Sequence, residues 1–351
     1  MNKLLRCSAA ILVFFLLVPF LFSCKEDEGE IVFAYGEVQI PERLYIYELS
    51  VYKSEILSNY GSTGVDSPSL WTSDMGNGTT FEDHAYAQFQ LNISQKLFFA
   101  DYALKHGGDI TEEQNKAIDA QIDSVIQQIG SKNKVNEYLA DYSIDLDLYR
   151  RWLEIEQLYV NGCTLAYGEG GEREIGYQEA YDYYENNYVT VKHIATGTNI
   201  AGKTQSGEVV YYTDEEKEAK RQRIEELRER IDAGEDFDVL YLESEDKQSE
   251  TYPDGYTIGA DTLSDEMQAY EDMALSLEIG EVGEIEIENY GHYFIKRVEI
   301  LESDFYNCYT HFYSTLVELD TGAAILENYD NFTMNQEIID SYSMATAPVM
   351  K

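Results

Sequence analysis

Through the first half of the chain, apolar residues recur every three or four positions and are broken by short glycine-rich stops. Phe81 to about His106 predicts a helix with Phe89, Ile93, Leu97 and Ala100 on one stripe, ended by Gly107-Gly108. Thr111 with Gln114 three residues on has the form of a capping box. The helix that it opens carries Ile118, Ile122, Val125, Ile126 and Ile129, and Gly130 closes it. Asn136 to Tyr142 and Leu146 to Tyr159 continue the pattern, the second with Leu146, Tyr149, Trp152 and Leu153. Before these, Val38 to Ile40 predicts a short strand and Pro41 opens a helix to about Leu57, because proline in a first turn has no bond to lose. Ser58 to Thr80, rich in Gly, Ser, Asn and Asp, reads as an extended loop. Gly168 to Gly171 makes a break, and Tyr177 to Tyr184 gives one more helical piece.

The period changes at Tyr188. Val189-Thr190-Val191-Lys192-His193-Ile194 alternates β-branched and polar residues, which predicts a strand. Thr213 with Glu216 forms a second capping box, opening a long charged helix to Ala233-Gly234 with Ala219, Ile224, Leu227 and Ile231 inside. Phe237 to Leu242 and Met267 to Leu277 read as shorter helices, and Gly291 to Ile300 as a closing strand. Together they predict a compact α+β unit of roughly one hundred residues. Phe305 to about Tyr329 and Asn335 to Tyr342 return to helix.

Composition narrows the partners. The chain has 25 Lys and Arg against 66 Asp and Glu, a formal charge of −41. Such a surface excludes nucleic acid, because phosphate contacts need Lys and Arg. It fits solubility, cation binding of low specificity, basic client segments or a saline habitat. The 44% apolar fraction and 30 tyrosines supply a core, so this is not a disordered acidic chain. Tyrosine also suits surfaces that hold other proteins. No phosphate loop, GxSxG, HExxH or Rossmann glycine pattern is present. Five scattered histidines and four cysteines without CxxC spacing do not make a zinc site.

The N-terminus carries its own signal. Met1 to Arg6 is basic, and Ala9 to Phe22 is an apolar run shorter than the 20 or so residues that span a bilayer. Leu21-Phe22-Ser23-Cys24, followed at once by Lys25-Glu26-Asp27-Glu28, resembles a bacterial lipobox. The resemblance implies a signal peptide over residues 1–23, cleavage before Cys24 and lipid on that cysteine, with an acidic tether over 24–33. Two or three acyl chains on one residue hold a protein to a membrane, whereas one is marginal. The domain would then lie outside the cytoplasm, where Cys163 and Cys308 have the choice of pairing or remaining free.

Four further pieces, in order, resemble the parvulin (PpiC-type) peptidyl-prolyl isomerases. Lys192-His193-Ile194 looks like the family's first strand. Ala233-Gly234-Glu235-Asp236-Phe237 looks like the turn after its first helix. Leu275 to Val282 looks like the turn after its third helix, and Tyr290 to Lys296 like its closing strand. The lipobox, N-terminal helices, parvulin-like unit and returning helix together resemble PrsA-type and SurA-type foldase lipoproteins. That layout implies an all-helical chaperone domain from residues 34–187 and 301–351, discontinuous around an inserted parvulin-like domain at 188–300 with a small antiparallel sheet and surrounding helices. The resemblance implies exported, partly folded polypeptides as partners, homodimers as a possible assembly and no cofactor.

The family's chemistry is slow rotation about the X–Pro bond, against a barrier of about 18–20 kcal/mol. No covalent step is needed: an apolar pocket holds the ring and a small polar network stabilises the twisted amide. Carried over position by position, His193 takes the first-strand histidine and Asp246, in Ser244-Glu245-Asp246, the central acid. Tyr293 falls where a second histidine belongs, with His292 one residue early on the opposite face of the strand. Either the Tyr293 hydroxyl joins the network, or a bulge brings His292 in, or the network is broken. Met267, Tyr270 and Leu275 fall at the proline pocket, Tyr270 in place of Phe and Met267 one residue late. The family's Gly-rich loop is eroded to Asp254-Gly255-Tyr256-Thr257-Ile258-Gly259. These departures imply a weakened isomerase, or a holdase or scaffold with a degenerate parvulin unit. Without the resemblance, His193 reads as a core histidine, Asp246 as a solvated carboxylate, and Tyr270 and Tyr293 as packing.

Overall fold

The structure, a computed structural model, describes residues 28–59, 65–76, 78–204, 206–259 and 262–350. Cys24 and the signal segment lie outside the described residues. In chain order the elements begin β1 (Ile31–Tyr35), β2 (Val38–Pro41), α1 (Glu42–Asn59), α2 (Pro68–Trp71), α3 (Phe81–Lys105), α4 (Glu112–Ile129), α5 (Lys132–Ala140) and α6 (Leu146–Tyr167). There follow α7 (Tyr177–Asn187), β3 (Tyr188–Thr196), β4 (Ile200–Lys203), β5 (Val209–Tyr211), α8 (Asp214–Asp232), α9 (Phe237–Tyr241), α10 (Gln248–Thr251) and β6 (Tyr256–Gly259). The chain closes with α11 (Gln268–Ser276), β7 (Val282–Ile287), β8 (Gly291–Val298), α12 (Glu302–Glu327), β9 (Phe332–Met334) and α13 (Gln336–Ile339). Among the described residues, no helix is long and apolar enough to cross a membrane.

Two compact units divide this mixed α and β chain. One comprises residues up to Leu165 with Ile325–Lys351, the other Ala166–Ala324. The first unit is mainly helical, and the expected stripe of α3 is its core: Phe89, Ile93, Leu97 and Ala100 are all buried. α6 comes so close to α3 that a Cβ on Gly162 would stand 1.9 Å from the Phe99 carbonyl oxygen. The capping box at Thr111 forms, and Gly130 ends α4 in the left-handed conformation. Of the α4 stripe only Ile118 is buried; Ile122, Val125, Ile126 and Ile129 are half-covered.

Three expectations for this unit are corrected. It is not all-helical, because β1 lies between β2 and β9 in an antiparallel sheet. The acidic tether ends sooner than residue 33: Ile31 begins β1, and Val32 and Phe33 are fully buried. Paired backbone and a buried aromatic fix those residues where a solvated leader would leave them free. The stretch from Ser58 to Thr80 is also not wholly a loop. Ser67 caps α2, whose Trp71 is 1% exposed.

The second unit is built on a four-stranded antiparallel sheet in the order β6-β3-β8-β7. β3 and β8 run side by side from Thr190↔Val298 to Thr196↔His292. Successive side chains of a strand face opposite ways, so each strand feeds two cores. Val189, Val191, Ala195, Tyr293 and Ile295 pack under α11, with Tyr270, Ala274 and Leu277. Ile194 and Phe294 face the other way, against Ile224 and Leu227 of α8 and Phe237, Leu240 and Tyr241 of α9. α7 and most of α12 also join this unit, outside the 188–300 expected for it. The cause is packing of Ala180 and Tyr184 against Phe305 and Phe312. Cys163 and Cys308 are free thiols, and burial pushes the Cys163 thiol up to about 11.

Candidate active site

β3 is the central support of the site. Its alternation places His193 on the α11 side of the sheet, 5% exposed, between Val191 and Ala195. On one flank Val191 pairs with Tyr256 of β6; on the other Ala195 pairs with Tyr293 of β8. Three aromatic side chains therefore reach the imidazole from two strands and a helix. Gly255 permits the approach of β6. Its φ is +104°, and a Cβ there would stand 2.8 Å from the Val191 carbonyl oxygen.

Asp246 comes from the segment between α9 and α10, which is clipped to β3 at one residue. The Ala195 N–H donates to Ser244 Oγ at 2.9 Å, and the Glu245 N–H donates to the Ala195 carbonyl at 3.0 Å. Ser244 Oγ in turn donates to Asp246 Oδ1 at 2.7 Å, and the Gln248 N–H reaches the same oxygen at 3.2 Å. The other oxygen, Oδ2, is hydrogen-bonded to His193 Nε2. Lys247, between the acid and α10, holds a left-handed backbone with φ 61°. That conformation is uncommon outside glycine and recurs where a turn aims a functional side chain.

The far side of the imidazole meets phenols. His193 Nδ1 lies 2.6 Å from the Tyr256 hydroxyl and 2.7 Å from that of Tyr270, and the two hydroxyls are hydrogen-bonded to each other. An ionised carboxylate only accepts, so Nε2 carries the proton toward Asp246. In the neutral ring Nδ1 then accepts from one phenol, and the second phenol donates to the first. Donation in the line Ser244–Asp246–His193–Tyr256/Tyr270 converges on the carboxylate, from Ser244 on one side and from the phenols through His193 on the other.

Burial pushes the Asp246 carboxyl up, but hydrogen bonds from His193, Ser244 and Gln248, with the His193 charge, outweigh it and leave it below its usual value. Burial raises the phenols of Tyr256 and Tyr270 well above theirs, and raises Tyr293 as well. Because the folded Asp246 titrates below the unfolded one, its stabilising contribution is complete above the ordinary carboxylate value. It is lost as pH falls through the lowered one. The phenols behave in the opposite sense: their contribution is complete below the ordinary phenol value and is lost as pH rises through the raised ones. A carboxyl ¹³C NMR titration should therefore place the Asp246 midpoint below about 3.9. A midpoint at or above that value would mean that the network does not hold the carboxylate.

The expected residues are placed as follows. His193, Asp246, Tyr270 and Tyr293 come together. Tyr293 enters by its ring, with its centroid 5.2 Å from His193 at 78° and 5.2 Å from Tyr270 at 79°. The hydroxyls at Nδ1 are those of Tyr256 and Tyr270. The second of these was expected only as a pocket wall, and the first had no expected role. Met267 and Leu275 are half-buried and pack against the same apolar cluster. His292 stays on the opposite face, with Nε2 2.8 Å from Glu284 and its ring against Phe294. The β3–β8 register runs through His292 without a bulge, so nothing turns it toward His193. Tyr256 follows Gly255 at the head of a four-residue strand, a faint signal that becomes informative only once β6 is paired with β3. Among the described residues, no group of three His, Cys, Asp or Glu is arranged to hold a metal ion.

No family model matches the chain, and no curated protein matches it. Solved structures do. PrsA from Bacillus subtilis shares 15% identity over 74% of this chain and 84% of its own, with a TM-score of 0.25. The peptidylprolyl isomerase PrsA from Bacillus cereus shares 15% identity over the same shares, 74% and 84%, with a TM-score of 0.30. The foldase protein PrsA from Streptococcus pneumoniae shares 15% identity over 78% of this chain and 92% of its own, with a TM-score of 0.25.

Proposed function

We propose that this chain is an extracytoplasmic foldase, lipid-anchored at Cys24, that turns X–Pro bonds of exported polypeptides at His193 and Asp246. A parvulin-like unit would be inserted into a discontinuous, mainly helical chaperone unit. The observation that carries this reading is the hydrogen-bonded line from Ser244 through Asp246 and His193 to two phenols, on the inner face of a small antiparallel sheet. A twisted prolyl amide has lost its resonance, so its charge distribution differs from that of the planar form. Fixed, pre-oriented dipoles can favour the twisted form without reorganising. Half-buried Met267 and Leu275, packed against the cluster of Tyr270 and Tyr293, would supply apolar surface for the proline beside those dipoles.

A second reading, a holdase without turnover, has a specific observation in its favour. Both ring nitrogens of His193 are already occupied by protein groups. Tyr293 brings no ring nitrogen to replace the missing histidine, which accords with a weakened enzyme. The test is refolding of a client whose slow phase is prolyl isomerisation, together with aggregation of several unrelated clients. A foldase accelerates the slow phase at substoichiometric amounts and suppresses aggregation generally. Suppression without acceleration removes the enzyme, and protection of one client alone removes the foldase.

A further inference from the structure

The helical unit holds a cavity of about 640 Å³ between α1, α3, α4 and α6. This is the size range of small-ligand pockets. Its polar part is a partly buried ion group. Lys96 Nζ donates to both oxygens of Glu48, at 2.7 and 2.8 Å, and is ion-paired with Glu156. Glu48 is 6% exposed. Burial pushes the Glu48 carboxyl up, but Glu156 and exposed Glu55 alone still outnumber the one ammonium of the lining. The rest of the lining is mixed, with aromatic, aliphatic and amide side chains. Tyr52, Trp152 and Tyr159 line the same space, and the Lys96 ammonium stands 6.0 Å from the Trp152 ring centre.

Buried ion groups are costly and give a fold little net stability. One that opens onto a space with aromatic side chains in its wall has a place for a ligand. The excess negative charge disfavours an anion on Lys96. Aromatic faces attract cations strongly when both are desolvated. We propose that this cavity binds an organic cation on an apolar stem: the ammonium or guanidinium of a Lys or Arg side chain in an extended polypeptide, or the same group on a free amine. Only the polypeptide source rests on the foldase reading.

The test is calorimetric titration of the purified chain at 0.15 M salt, where diffuse attraction to a surface of net charge −41 is screened beyond about 8 Å. The probes are acetyl-Leu-Arg-Leu-amide, its neutral citrulline counterpart and spermidine. The arginine peptide should saturate at one site per chain and bind at least about tenfold tighter than the citrulline peptide. Glu156→Gln and Glu55→Gln should each weaken it by about tenfold. Should Glu156→Gln fail to fold, the exposed position of Glu55 keeps the test intact. Spermidine matching the peptide would identify a free amine as the occupant, and weaker binding would identify a polypeptide side chain. Equal binding of the citrulline peptide, no saturation, or full affinity in Glu55→Gln would overturn the proposal. A failed isomerase assay would leave this result untouched, because no residue of the cavity belongs to the His193 site.

Discussion

Asp246→Asn should lower kcat/KM for a prolyl tetrapeptide, in a protease-coupled assay, by about 100-fold while the chain stays folded. The carboxylate accepts from Ser244, Gln248 and His193 together. An amide there presents at best one oxygen. If that oxygen keeps the Ser244 and Gln248 donors, its NH2 group confronts His193 Nε2–H, donor against donor. The imidazole must then move its proton to Nδ1, and the direction of the line through Tyr256 and Tyr270 reverses. Charge-assisted hydrogen bonds contribute roughly 1.5–3 kcal/mol, and each 1.4 kcal/mol is tenfold in rate. The Asp246 side chain is 32% exposed, so the loss of stability should be small beside the loss of rate. The fall should appear in kcat, since the apolar wall proposed to hold the proline is unchanged. Unaltered turnover would reduce the network to packing.

The second large effect is on stability and lies in the helical unit. Lys53 is 1% exposed, and its ammonium donates to the carbonyls of Ala345 at 3.1 Å and Ala347 at 2.8 Å. It also pairs with Asp66 at 3.0 Å, and Asp66 accepts from Trp71 Nε1 at 2.8 Å. One side chain of α1 thus fastens the segment around α2 and the C-terminal residues, which are distant in sequence. Lys53→Met keeps the stem and removes every donor, leaving two carbonyls and a carboxylate short of partners. The expected cost is about 3 kcal/mol, read as a lower denaturant midpoint. Limited proteolysis should open the chain between Ser343 and Met350. A change under about 0.5 kcal/mol would show that water replaces the ammonium there.

What the sequence discloses follows the range of the interaction. The capping boxes at Thr111 and Thr213 are local chemistry and form as written. The alternation of Val189 to Ile194 names a strand and its two faces, and the β3–β8 register then sets His292 on the face opposite His193. β1 and β9 are hidden for the opposite reason. Each is short, and the residues that pair, Tyr35 and Phe332, are about 300 positions apart. Lys53 reads as one more solvated cation until the C-terminal carbonyls meet it. In the site, His193 and Asp246 stand in recognisable motifs. Tyr256 is found only through the register that pairs it with Val191, because no local pattern announces a diagonal neighbour.

The claim that the His193 network turns prolyl bonds is tested most directly by two-dimensional NMR exchange on a prolyl tetrapeptide with a trace of the purified chain. Uncatalysed exchange takes tens of seconds, so no cross-peaks between cis and trans signals arise at mixing times below a second. Those cross-peaks should appear with the native chain and be lost with Asp246→Asn. A native spectrum with no exchange, at protein concentrations where a parvulin produces it, would contradict the account.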